Sequence, residues 1–165
     1  MKNEDLTPMS FQLVVEVRPP ATPNFLANKK KKIRVIREIR AKKMKQEDLT
    51  SKIIACTYKV HNTLGFGFLE TVYQNALLIE LTKAGLHADK EKRIKVFYND
   101  QLVGEYAADI LVEDKVILEL KSVKDLHPAH SAQLINYLKA TGIEIGLLIN
   151  FGESVQIKRK ILSRP

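Results

Sequence analysis

The stretch "ADILVEDKVILELK", Ala108 to Lys121, reads as two short apolar strands about a turn. Glu113-Asp114 is a turn pair, and the runs beside it are rich in the branched apolar residues that suit a pleated surface. Yet Asp109, Glu119 and Lys121 interrupt those strands. Strand alternation sends Val116, Leu118 and Leu120 to one side and Ile117, Glu119 and Lys121 to the other. Two loop lengths are open. If Glu113 and Asp114 alone make the loop, Asp109 faces Leu118; if Lys115 joins them, Asp109 faces Glu119. In both cases the carboxylates are direct or adjacent cross-strand neighbours. Opposed Cβ atoms stand only ~4.5–5.5 Å apart, where like charges destabilise a sheet. A solvated face, or neutralisation by Lys121, would tolerate them.

Outward from this hairpin the element order becomes legible. "EDLTSKIIACTYKVHNTLG" places Ile53, Thr57, Val60 and Leu64 at helical spacing, with Asp48 or Thr50 as the expected cap and Gly65 as the stop. After "GFG", the segment "LETVYQNALLIELTKAG" reads as a second helix, with Leu69, Val72, Ala76, Ile79 and Leu81 to Leu86 in a helical register and Gly85 at its end. Asn99-Asp100 and Glu113-Asp114 divide the next stretch into a three-strand meander. Pro128 and Gly142 bound a third helix. "IEIGLLINF" is nearly all apolar, as in a strand buried on both faces, and "SVQIKRKIL" suits an edge strand. A helix between the third and fourth strands implies that these two are parallel neighbours. The third strand is then central, and an acid and a base on one of its faces require a cleft or a metal. The fold class is α/β, a mixed central sheet of meander, helix and further strands, flanked by helices.

The chain has 165 residues and a net charge of +8, and 45% of it is apolar. The charge is concentrated: Lys29 to Lys45 hold ten Lys or Arg against Glu38 alone, and the rest is close to neutral. Residues 1–45 are therefore expected to be a basic, flexible arm, with Pro19, Pro20 and Pro23 opposing regular structure and Ile33, Ile36 and Ile39 able to extend a helix. Residues 46–165 are expected to be the working domain. A lone cysteine, Cys56, permits no intrachain disulfide and reads as core packing. No apolar run approaches the ~18 residues of a membrane span, and no secretory signal is read at the N-terminus, so the expectation is a cytoplasmic protein without a membrane partner.

Two close carboxylates and a lysine suit one chemistry. Carboxylate oxygens bind Mg²⁺, a hard ion that keeps several waters, with Mn²⁺ as a substitute. The ion neutralises a phosphate oxygen and acidifies a bound water. Lys121, its pKa raised by the acids, would orient the water and stabilise the transition-state anion, with general base as the second choice. His127 and His130 stand at i, i+3, but no third ligand is near in sequence.

The pattern Asp109-x9-Glu119-x-Lys121 resembles the PD-(D/E)xK nuclease signature, with Ala108 in place of its proline. "GFLETVY", Gly67 to Tyr73, is similar to G-x-x-E-x-x-Y, and "AQLINYLKATG…IGLLINFG" to the C-terminal half of the same group. Together these blocks, across roughly residues 47 to 162, resemble the GxxExxY proteins of the PD-(D/E)xK superfamily. The resemblance implies a restriction-endonuclease-like core. It implies that Glu70 joins Asp109 and Glu119 as a metal ligand from the second helix. On the residues alone, Glu70 is an acid favourably placed in a first helical turn. It implies that Gln133 hydrogen-bonds the lysine, water or phosphate. Tyr73, one turn beyond Glu70, and Tyr137, at i+4 from Gln133, are candidate supporting residues; a half-buried core aromatic is an equal reading of Tyr73.

The expected function is an Mg²⁺-dependent nuclease acting on nucleic acid, DNA before RNA. The alternatives are a catalytically silent nucleic-acid-binding module and a protein-interaction module with the same fold. The domain is nearly neutral, whereas a tight duplex binder usually shows a basic face; the arm supplies it, or an oligomer such as a homodimer does, or affinity is modest.

Overall fold

The computed structural model describes residues 23–162. The apolar run "FQLVVEV" and the Pro19-Pro20 pair lie outside the described residues. The chain divides into two compact units, residues 1–43 and 44–165.

Helix α1 runs from Pro23 to Leu64. Its first described part is exposed, and Ile33, Ile36 and Ile39 are uncovered beside the Arg34–Glu38 pair at 2.8 Å. Pro23 does not oppose the helix but opens it, where its missing N–H costs nothing. Neither Asp48 nor Thr50 caps a helix start. Thr50 is inside α1, its hydroxyl donating to the Gln46 and Glu47 carbonyls at 3.0 Å each. The Lys, Arg, Ala, Met and Gln residues upstream are good helix formers, so nothing stops the helix at residue 46.

In the second unit, α2 (Glu70–Lys83) is followed by β1 (Ala88–Tyr98), β2 (Gln101–Val112), β3 (Val116–Lys121), α3 (Pro128–Thr141), β4 (Ile145–Phe151) and β5 (Val155–Ile161). The strands form one sheet in that spatial order, with β3 and β4 parallel and the other pairs antiparallel. The mixed α/β class and the central position of β3 are as the sequence implied.

Ile53, Val60, Tyr73, Leu77 and Leu81 of α1 and α2 pack on Ile110, Val116, Leu118 and Leu120. Leu134, Tyr137 and Leu138 of α3 pack on the opposite face against Ile117 and Leu148. The buried stripe of α2 is Tyr73, Gln74, Leu77 and Leu81, whereas Leu69, Val72 and Ile79 are exposed. This corrects the sequence expectation at Leu69, Val72 and Ile79, while Leu81 is buried as expected and Ala76 and Leu86 pack on the core. Apolar residues surround α2, so periodicity could not select the buried face. On α3 the approach to the sheet is close. A Cβ on Gly146 would lie 2.7 Å from Leu134 Cδ1.

Candidate active site

The turn settles the open register. Val112 pairs with Val116, Leu111 with Ile117 and Ile110 with Leu118, so Lys115 belongs to the loop. Glu113 and Asp114 both take positive φ, 52° and 51°. Continuing this register sets Asp109 opposite Glu119.

Asp109 is also where β2 changes side. Ile110 and Val112 belong to the α1/α2 face, as alternation requires. Two residues before Ile110, Ala108 belongs instead to the α3 face, and Tyr106 contacts the ring of Tyr137 there. The ladder with β1 is irregular at the same level. Lys90 pairs with Ile110 and Lys92 with Ala108, while the intervening Glu91 has φ 52°. A slipped alternation frees the Asp109 backbone from regular pairing. Two side groups take over. The Gln74 amide donates to the Asp109 carbonyl at 2.9 Å, and the Asp109 carboxylate accepts the Leu120 N–H at 2.6 Å.

Glu119 is 1% exposed. Its Oε1 accepts from the Lys121 ammonium at 2.6 Å, and its Oε2 is buried without a hydrogen-bond partner. Burial, then the charge of Asp109, pushes the Glu119 carboxyl up to about 7 despite the lysine. Burial likewise raises Asp109, against the opposing Leu120 N–H and Lys121. Lys121 is held above the ordinary lysine range. Burial works against its charge, but the Glu119 hydrogen bond and the charges of Glu119, Glu70 and Asp109 outweigh it.

Glu70 opens α2, behind Gly65 and Gly67, which take φ of 73° and 100°. Such angles suit glycine because they carry no Cβ penalty there. Glu70 lies 3.8 Å from Lys121. Its carboxyl is raised by burial, with Lys121 opposing. Tyr73 stands apart from the acids. Its ring is fully buried and stacks on Phe151 at 4.4 Å, and its hydroxyl donates to Gly65 O at 2.9 Å and accepts the Phe68 N–H at 3.3 Å. It ties down the loop that delivers Glu70. Ser122 adds a second tie, donating to Phe68 O at 2.7 Å.

From α3, Gln133 donates to the Tyr137 hydroxyl at 2.6 Å. The charges of Glu119, Asp109 and Lys121 reach Tyr137, whose pKa is raised first by burial. The two histidines are occupied in capping α3: His127 Nδ1 accepts the Ala129 N–H and His130 Nδ1 accepts the His127 N–H.

Ser122 and Asn150 carry no signal that separated them in sequence from ordinary polar residues. Asn150 is fully buried beside Lys121 and forms both hydrogen bonds with the Val123 backbone, at 2.8 and 3.0 Å. It holds the chain just beyond β3. Only Gln74 had a hint, its i+4 spacing from Glu70.

The donor set tests the implied metal. Among the described residues, no three His, Cys, Asp or Glu side chains stand close enough together to hold an ion. Asp109 and Glu119 alone fit a hard cation that completes its shell with water, and the orphaned Glu119 Oε2 is a ligand atom in waiting. Glu70 is engaged with Lys121 instead.

A family model for the PD-(D/E)XK nuclease superfamily matches residues 47–161. The chain belongs to the PD-(D/E)XK nuclease superfamily. Divalent metals are typical of PD-(D/E)XK nucleases, and the helix, meander, helix and strand order here is that of their restriction-endonuclease-like core. The crystal structure of SSO0001 overlays at a TM-score of 0.46 and 18% identity, over 58% of this chain and 52% of that one. The chain thus spans about half the length of SSO0001. No curated protein matches the chain. Among the described residues, no helix is long and apolar enough to cross a membrane.

Proposed function

We propose that this chain is a metal-dependent nuclease of the GxxExxY branch, hydrolysing phosphodiester bonds in DNA in preference to RNA, with Mg²⁺ or Mn²⁺. The observation that carries the reading is the Glu119 carboxylate, buried in a central strand with one oxygen on Lys121 and the other unpartnered. Structural stability alone disfavours such an arrangement, since an unsatisfied buried charge is costly.

Asp109 and Glu119 would hold the cation, with Glu70 approaching from α2. When bound, the ion supplies charge neutralisation on the phosphate and a more acidic water. The chain's own residues do the rest. Lys121 keeps its proton at Nζ and offers an N–H to the attacking water and to the anionic phosphorus centre as charge develops there. Glu70 and Glu119 together limit where that ammonium can point. Gln133 presents a polar group from α3, and Tyr137 fixes its amide. Gln74 and Asn150 brace the backbone on either side of the site.

The test is incubation of purified protein with single-stranded, duplex and branched DNA and with RNA, in Mg²⁺ or Mn²⁺. Cleavage that Asp109→Ala and Lys121→Ala both abolish supports the reading. Cleavage that survives both assigns the activity to another site or a contaminant. Binding without cleavage on every substrate makes the chain a silent module.

A further inference from the structure

The far half of the β1–β2 hairpin exposes aromatic and aliphatic side chains that no other described residue covers. Phe97 is 60% exposed, Tyr98 69% and Tyr106 51%, with Leu102 and Val103 also open. The register shifts between Val96 and Phe97, just where the exposed tip begins. Between this hairpin and α3 lies a groove of about 550 Å³, lined by Lys95, Phe97, Tyr106, Asn136 and Lys139.

Two features give the groove a direction. Its lysines are available. Lys95 faces Glu105 across the strands, but Glu105 is engaged by Arg93 at 3.2 Å, and among the described residues neither Lys95 nor Lys139 is in an ion pair. Its inner end reaches the candidate active site. The Tyr106 ring lies 5.7 Å from that of Tyr137, whose hydroxyl holds Gln133. Flat aromatic faces beside cations match an unpaired nucleic-acid strand, whose bases offer free π-faces and whose phosphates seek the lysines. A duplex keeps its bases stacked on one another and has no such faces to give.

We infer that the groove between the β1–β2 hairpin and α3 is a binding track for single-stranded nucleic acid, in which Tyr106 and Phe97 stack on bases and Lys139 contacts phosphates. This rests on the nuclease reading for its destination, since the track leads to Asp109, Glu119 and Lys121. The protein would then take single strands, or the unpaired arms of branched structures, in preference to continuous duplex.

The test is fluorescence anisotropy with the full chain in EDTA, so that nothing depends on cleavage. The probes are a labelled oligo-dT, the matching oligo-rU, a duplex, and an abasic strand with the same number of phosphates. Oligo-dT or oligo-rU should bind more tightly than the abasic strand and the duplex. Tyr106→Ala should weaken the base-bearing strand by roughly five-fold or more, as loss of one stacked base implies. It should leave the abasic strand unchanged, and Tyr106→Phe should restore binding. Lys139→Ala should weaken both strands and lower the salt slope by about one. Equal binding of abasic and base-bearing strands, or a Tyr106→Ala protein that binds oligo-dT as well as the parent, would overturn the track and leave the hairpin as a protein contact. Hydrolysis with such a result leaves the nuclease reading intact; stacking-dependent binding without hydrolysis removes that reading and keeps the track.

Discussion

The Lys121 ammonium stands 2.6 Å from one oxygen of the Glu119 carboxylate, and the other oxygen of that carboxylate has no partner. A fold selected for stability would complete such a pair or replace it with apolar residues. Its position on the central strand, opposite Asp109, is what makes the site chemically poised.

The pair makes stability depend on pH. The Glu119 pKa is about 7 in the fold against an ordinary 4.5. Below 4.5 the group is protonated in both states. From there to about 7 the unfolded chain ionises while the folded chain holds its proton, so stability falls as pH rises and then levels off. Glu119→Gln carries no such penalty. Its stability advantage over the parent should grow between pH 4.5 and 7, to a ceiling on the order of 3 kcal/mol at about 1.4 kcal/mol per pKa unit. Urea unfolding at pH 5 and pH 8 measures it; an advantage that does not change with pH would contradict the burial argument.

Cation binding should stabilise the protein. A ligand at a hundred times its Kd adds about 2.7 kcal/mol to folding. Saturating Mg²⁺ or Mn²⁺ should therefore raise the thermal midpoint by several degrees, and EDTA should reverse the rise. Asp109→Asn and Glu119→Gln should abolish it. Glu70→Gln should only reduce it, because Glu70 is engaged with Lys121 and not gathered with the other two acids. A midpoint indifferent to both ions speaks against the cradle.

Asn150→Ala should cost about 2 kcal/mol or more, since it strands both the N–H and the carbonyl of Val123. The loss should reach function, because those bonds hold the chain leaving Lys121. Chemical denaturation combined with a cleavage assay below the melting range separates the two effects.

Tyr73→Phe keeps the buried ring and its stack on Phe151 but removes the hydroxyl shared by Gly65 and Phe68. A loss of about 1 kcal/mol is expected. Hydrogen exchange should show faster opening of residues 65–69 with the core strands unchanged. Protection of that loop equal to the parent's would show that the hydroxyl is not its tether.

Gly146→Ala should destabilise by about 1–3 kcal/mol through overpacking, because the new methyl meets the buried Leu134 side chain. Leu134→Ala in the same chain should recover part of that loss, which a double-mutant cycle in urea would detect.

Local chemistry made much of this legible in sequence. Asn99, Asp100 and Asp114 take the positive φ that Asn and Asp tolerate, and Pro128 and Gly142 bound α3 because one lacks an N–H and the other accepts φ 72°. Period-two alternation in β3 placed Glu119 and Lys121 on one face, and the apolar run of β4 marked a strand covered on both sides. These signals act over a few residues, so a linear pattern contains them. The tertiary structure decided what lies between distant segments. It put Lys115 in the loop, slipped the alternation at Asp109, chose the buried face of an α2 whose apolar residues are spread round the helix, and paired Glu70 with Lys121. It also set Gln74 against Asp109, 35 residues on, and Asn150 against Val123, 27 residues back. A hydrogen bond across such a separation exists only once packing has brought its ends together, and neither residue type nor local spacing encodes the partner.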